Sequence, residues 1–143
     1  MLPWGRLLMT ASTLGVGLGP VLLELGDTHL FNPAWPPHAR FHLIWFVAAN
    51  AFVGLLATFV LWRPWPDASR GANLALALNL AVLAGFTVAA VLHPLYGGAL
   101  VEGDPGTVLG VQPNVLVFVA LGVFALLGRR LIAQASSPAG SRH

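Results

Sequence analysis

Four long apolar stretches, about residues 7–25, 41–62, 73–93 and 113–132, leave this chain almost no way to fold in water. Hydrocarbon about 30 Å thick is crossed by roughly 20 apolar residues in a helix, since no water is there to satisfy exposed backbone groups. Each stretch meets or nearly meets that length. Of the 143 residues, 57% are hydrophobic and 8% charged, against about 25% charged in soluble domains. The expected fold is all-α: an integral membrane four-helix bundle, one domain over 1–132, with a disordered tail over 133–143.

The first stretch follows Arg6 like the start of a signal peptide, yet it exceeds the usual apolar length of about 7–15 residues and no A-x-A-like site follows it. It therefore reads as a retained first span. Small residues in it (Gly15, Gly17, Gly19) and alanines throughout the third stretch mark close helix contact.

Arginine placement predicts the orientation, because short basic loops stay cytoplasmic. Arg6, Arg63, Arg70, Arg129, Arg130 and Arg142 fall at the N-terminus, the second loop and the C-terminus, and Arg40 alone falls in the first or third loop. Both termini are thus expected inside. Trp4, Trp62 and Trp65 then mark the inner interface, and Trp35, Trp45 and Tyr96 the outer one. The arginines are scattered rather than run together, which argues against nucleic-acid binding. With no cysteine, disulfides, thiolate metal sites and Cys nucleophiles are excluded.

Given that topology, Glu24, Asp27, His29, His38, Arg40, His42, His93, Glu102 and Asp104 collect at or beyond the outer ends of the spans, leaving Asp67 as the inner acid. Every histidine except His143 belongs to the outer group. Pro36 and Pro37 stiffen the approach to the second span, and proline suits a first helical turn, so the helix should begin near Pro37. His38 and His42 then lie one turn apart on a shared face, continued by Trp45 and Ala49 with Asn50 beside it.

Three readings of this constellation compete. In the first, His38 and His42 supply two imidazoles to a zinc-like divalent metal and His29, His93, Asp27 or Glu24 completes the set. The positive end of the helix dipole works against it. In the second, an imidazole kept neutral at the helix end exchanges a proton with Glu24 or Asp27, while Arg40 or Asn32 holds an oxyanion or polar head group. In the third, the histidines and acids satisfy one another and the loop backbone, fixing a proline-rich cap. His93, directly before Pro94, reads as an interfacial cap or as the third span's contribution to the site. Asn50 and Asn79 lie deeper, where an unpaired amide is costly, and should bond between helices or hold the polar end of a ligand. The glycine-rich third loop lacks a phosphate-binding pattern.

The stretch from His29 through Asn32, Pro33, Trp35, Pro36, Pro37, His38 and Arg40 to His42 resembles the signature loop of an uncharacterised family of small four-span membrane proteins found in fungi and bacteria. The overall plan is also similar to the emopamil-binding and sigma-2-receptor-like superfamily, whose members bind or isomerise sterols within helix bundles. That likeness implies a lipophilic ligand. The leading expectation is an enzyme acting on a lipophilic small molecule that enters from the bilayer. His38 and His42 form its central pair, with Asp27, Glu24 and His29 as partners and Asn32, Trp35, Arg40, Trp45, Asn50, Asn79 and His93 lining the substrate site. Isomerisation or cyclisation is the natural chemistry without a redox residue, with metal-assisted hydrolysis next. The alternative is a non-catalytic ligand- or metal-binding protein, or a small transporter subunit, which four short spans would serve only as a homo-oligomer.

Overall fold

The computed structural model describes residues 4–101, 103 and 106–136, so Glu102, Asp104 and the tail from 137 with Arg142 and His143 lie outside the described residues. Among the described residues there are four α-helices, α1 (Trp4–Glu24), α2 (Pro37–Trp62), α3 (Ala68–Leu92) and α4 (Pro113–Ser136), with a 3-10 turn, His93–Tyr96, following α3. All four are long and apolar enough to cross a membrane.

Local chemistry sets their ends. Pro37 opens α2 behind an extended Pro36, which suits a residue that lacks an N–H and has a fixed φ. The Asp67 carboxylate accepts from Ser69 N at 2.8 Å and caps α3 five residues ahead of its apolar run. Pro94 stops α3. The chain tightens into the 3-10 turn and leaves it through Gly97, whose φ of 70° is left-handed. At the other end of the chain, α4 runs through Ser136, so residues 133–136 are helical rather than part of the expected disordered tail.

The helices run antiparallel in a ring, α1 against α2, α2 against α3, α3 against α4 and α4 against α1. Of the two diagonals α1 lies close to α3, whereas the Cα atoms of α2 and α4 stay more than 8 Å apart. Glycine explains how α1 reaches so many partners. A Cβ on Gly17 would stand 2.8 Å from Gly54 Cα, and one on Gly5 would stand 2.7 Å from the Gly128 carbonyl. Backbone therefore lies directly on backbone at both crossings, as membrane helices pack where side chains supply no hydrophobic drive.

Hydroxyls and amides join the helices beside these crossings. Thr13 and Thr58 share a 2.8 Å hydrogen bond, Trp62 Nε1 donates to Thr10 Oγ1 at 2.8 Å, and Ser12 Oγ donates to the Leu121 carbonyl at 2.6 Å. Asn79 Nδ2 donates to Ser12 Oγ at 2.6 Å in the buried centre.

The bundle is tightest at the end where α1 starts and α4 finishes, and there Met9, Ala57, Leu61, Ala72, Ala75 and Ile132 form the apolar core. It loosens toward the other end, where Leu22 and Leu23 are 82% and 74% exposed. Arg6 lies over Trp62 at the tight end, and Arg63 and Arg70 both lie over Trp65. Arg129 Nε donates to Asn73 Oδ1 at 2.5 Å at that same end.

Gly17→Leu should lower stability by about 1–3 kcal/mol or more, as overpacking does, whereas Gly19→Ala, with nothing within 4 Å of its Cβ, should leave it unchanged or slightly raised. Thermal unfolding of the two variants in the same detergent checks the contrast.

Candidate functional site

The first loop folds on itself before α2 begins. Asn32 fastens it three ways: Nδ2 donates to the Thr28 carbonyl at 3.1 Å, Oδ1 accepts from Ala34 N at 2.9 Å, and its carbonyl accepts from Arg40 Nη2 at 2.8 Å. Asparagine is suited to this, since its amide can stand in for a turn of backbone. Asn32 and Arg40, expected to hold substrate, therefore hold the loop to the first turn of α2. Arg40 Nε remains buried without a partner.

Within that loop Glu24, His29 and Thr28 form a line. Glu24 Oε2 stands 3.6 Å from His29 Nε2, and His29 Nδ1 stands 2.9 Å from Thr28 Oγ1. When the Nε2 proton faces the carboxylate, Nδ1 is free to accept from the threonine hydroxyl. Trp35 packs edge-on to the His29 ring, with centroids 5.7 Å apart. Thr28 was not singled out in the sequence, and its adjacency to His29 was the available signal. Asp27 is exposed on the same turn and stands outside this line.

His38 and His42 do meet on one face of α2, with Nε2 atoms 3.0 Å apart and rings nearly perpendicular at 84°. One ring donates and the other accepts. Trp45 and Phe46 stack on His42, and Phe41 stacks on His38. Two nitrogens on one tetrahedral zinc stand about 3.3 Å apart, so a small ring rotation turns the pair into half a ligand set. The positive end of α2 opposes a cation by about 0.3–1 kcal/mol, little beside the roughly 10–16 kcal/mol of a full structural zinc set. Ligand number is what limits the pair.

Among the described residues, no three of His, Asp and Glu gather closely enough to hold one ion. The expected convergence of His29 and His93 on the pair is thus not formed. His29 is turned to Glu24, and His93 Nδ1 donates to the Ala90 carbonyl at 2.8 Å within a 3-10 turn that packs on α3 alone among the helices. Asn79 does bond between helices, through Ser12, yet its Oδ1 stays buried without a partner. Asn50 differs: its backbone carbonyl lies against Gly17.

A cavity of about 470 Å³ opens elsewhere, between α3 and α4, and Leu83, Phe86, Ala90, Leu100, Phe118 and Gly122 are among its walls. Phe86 and Phe118 stack with centroids 3.8 Å apart. Thr87 brings a hydroxyl to the lining, but that group donates to the Leu83 carbonyl at 2.8 Å. None of the residues expected to bind or transform substrate lines this cavity.

Four apolar antiparallel helices with a polar cap define a multi-pass membrane protein. The chain belongs to the DUF6640 family, a family of unknown function whose model matches residues 8–137. No curated protein and no solved structure matches it.

Asn32→Ala should cost about 0.5–1.5 kcal/mol by removing its hydrogen bonds to the exposed Thr28 and Ala34 backbone groups. Hydrogen exchange should then rise in residues 28–35 and stay unchanged in α3.

Proposed function

We propose that this protein binds a lipophilic small molecule from the bilayer in the groove between α3 and α4, with both chain ends cytoplasmic and the histidine-bearing loop outside. The observation that carries the reading is the groove itself: it lies between two helices of membrane-spanning length, and its hydroxyl is already engaged. Such a wall accepts hydrocarbon and gives a polar group nothing to bond. The four-span plan that resembles sterol-binding proteins points to the same ligand class.

Orientation rests on charge. Arg6, Arg63, Arg70, Arg129 and Arg130 lie at the tight end of the bundle, against Arg40 at the other, and cytoplasmic faces carry such an excess.

A second reading, acid/base catalysis of isomerase or cyclase type, is favoured by the Glu24–His29–Thr28 line, which supplies an oriented imidazole beside a hydroxyl. The His38–His42 pair offers a second proton-exchanging group.

The binding reading is tested with a photoactivatable fatty alcohol in vesicles. Labelling should concentrate on α3 and α4 and fall at least ~10-fold in Gly122→Phe, since a Cβ there meets only Leu83, at 3.6 Å, and a phenyl ring fills the groove. Labelling spread evenly over all four helices, or unchanged in the variant, would sink it. Because the chain has no cysteine, Thr28→Cys and Ser136→Cys report the sides directly: a membrane-impermeant thiol reagent applied to whole cells should modify the first and spare the second. For the catalytic reading, lipid extracts of cells carrying Thr28→Val or His29→Ala should lose a product that wild type makes; identical extracts would remove it.

A further inference from the structure

We infer that His38 and His42 are one half of a zinc-class metal site, completed by the same pair from a second copy of the chain across a two-fold axis. This goes beyond the ligand-binding reading and uses a different face of the bundle. The Nε2 atoms already stand 3.0 Å apart with the rings crossed at 84°, so moving the donor ring's proton from Nε2 to Nδ1 leaves two Nε2 lone pairs facing one region. Structural zinc takes four donors. This chain offers two, because among the described residues no third His, Asp or Glu joins them.

The remaining donors must come from outside the chain, and the surroundings favour another copy over water. On α2 the packed residues Val47, Gly54, Ala57 and Leu61 face the bundle. His38, Phe41 and Trp45 turn away from that face with His42 and Phe46 on its flank, and Phe41, Trp45 and Phe46 are 62%, 56% and 58% exposed. Nor does α4 approach α2 to cover these rings. An isologous contact presents one patch to itself, so pairing through this face brings four imidazoles to the axis and lays the aromatic rings against one another around them. The pair occupies the first two turns of α2, which lets an ion arrive from the aqueous side without crossing hydrocarbon.

The test is a zinc titration of the full chain in detergent micelles, reading bound metal and molecular mass together. One zinc per two chains, a monomer-to-dimer shift reversed by chelator, and a change in Trp45 emission absent from Trp45→Phe are expected. His38→Gln, at an exposed position, should lower zinc affinity at least ~10-fold and abolish the mass shift, and His93→Gln should keep both. His42→Asn should match His38→Gln; a melting curve reports whether removing its stacking on Trp45 disturbs the fold. Three results would overturn the inference: no zinc retained by the wild type, one zinc per chain without association, or a dimer indifferent to chelator and to His38→Gln.

Discussion

Backbone contact at two glycine pairs governs the shape of this bundle. Gly17 on Gly54 and Gly5 on Gly128 bring α1 so close to α2 and α4 that hydroxyl and amide groups reach across the gaps. In lipid, apolar side chains gain little by leaving their surroundings, so close packing and hydrogen bonds carry the association. The polar ladder on α1 depends on that proximity. Asn79 can meet Ser12 because α1 and α3 touch across the diagonal.

The same contacts divide the molecule lengthwise. Where α1 starts and α4 ends, small residues and Met9 seal the bundle; toward the other end the helices part and the α3–α4 groove opens. Polar chemistry follows the division. The first loop is fastened by Asn32 and Arg40, and His29, His38 and His42 lie in it or on the first turns of α2, outside the groove lining, whereas His93 bonds to the groove residue Ala90. The apolar groove and the His38–His42 and Glu24–His29 pairs therefore occupy separate places in one small protein.

Much of the fold was legible because its causes are local. Apolar length gave four helices, Pro37 gave the start of α2, and Pro94 gave the end of α3. The i, i+4 spacing brought His38 and His42 together, since one helix fixes that distance by itself. Convergence between elements was not legible. His93 was expected beside His42 from a shared depth in the membrane, but depth says nothing about rotation, and the Ala90 carbonyl claims its ring. Glu24 and His29 do pair, through a loop whose path depends on the Asn32 turn. The groove had no sequence signal, because its walls are ordinary apolar residues and its existence follows from how far α3 and α4 diverge.

The pairing of Gly5 with Gly128 joins residues near opposite ends of the described chain. During synthesis α1 leaves the ribosome first and α4 last, so the ring closes only after everything between them has been made. Until then Ser12 and Gly5 on α1 lack the α4 partners they have in the folded bundle. Closure of the ring therefore waits on α4, the last made of these four helices.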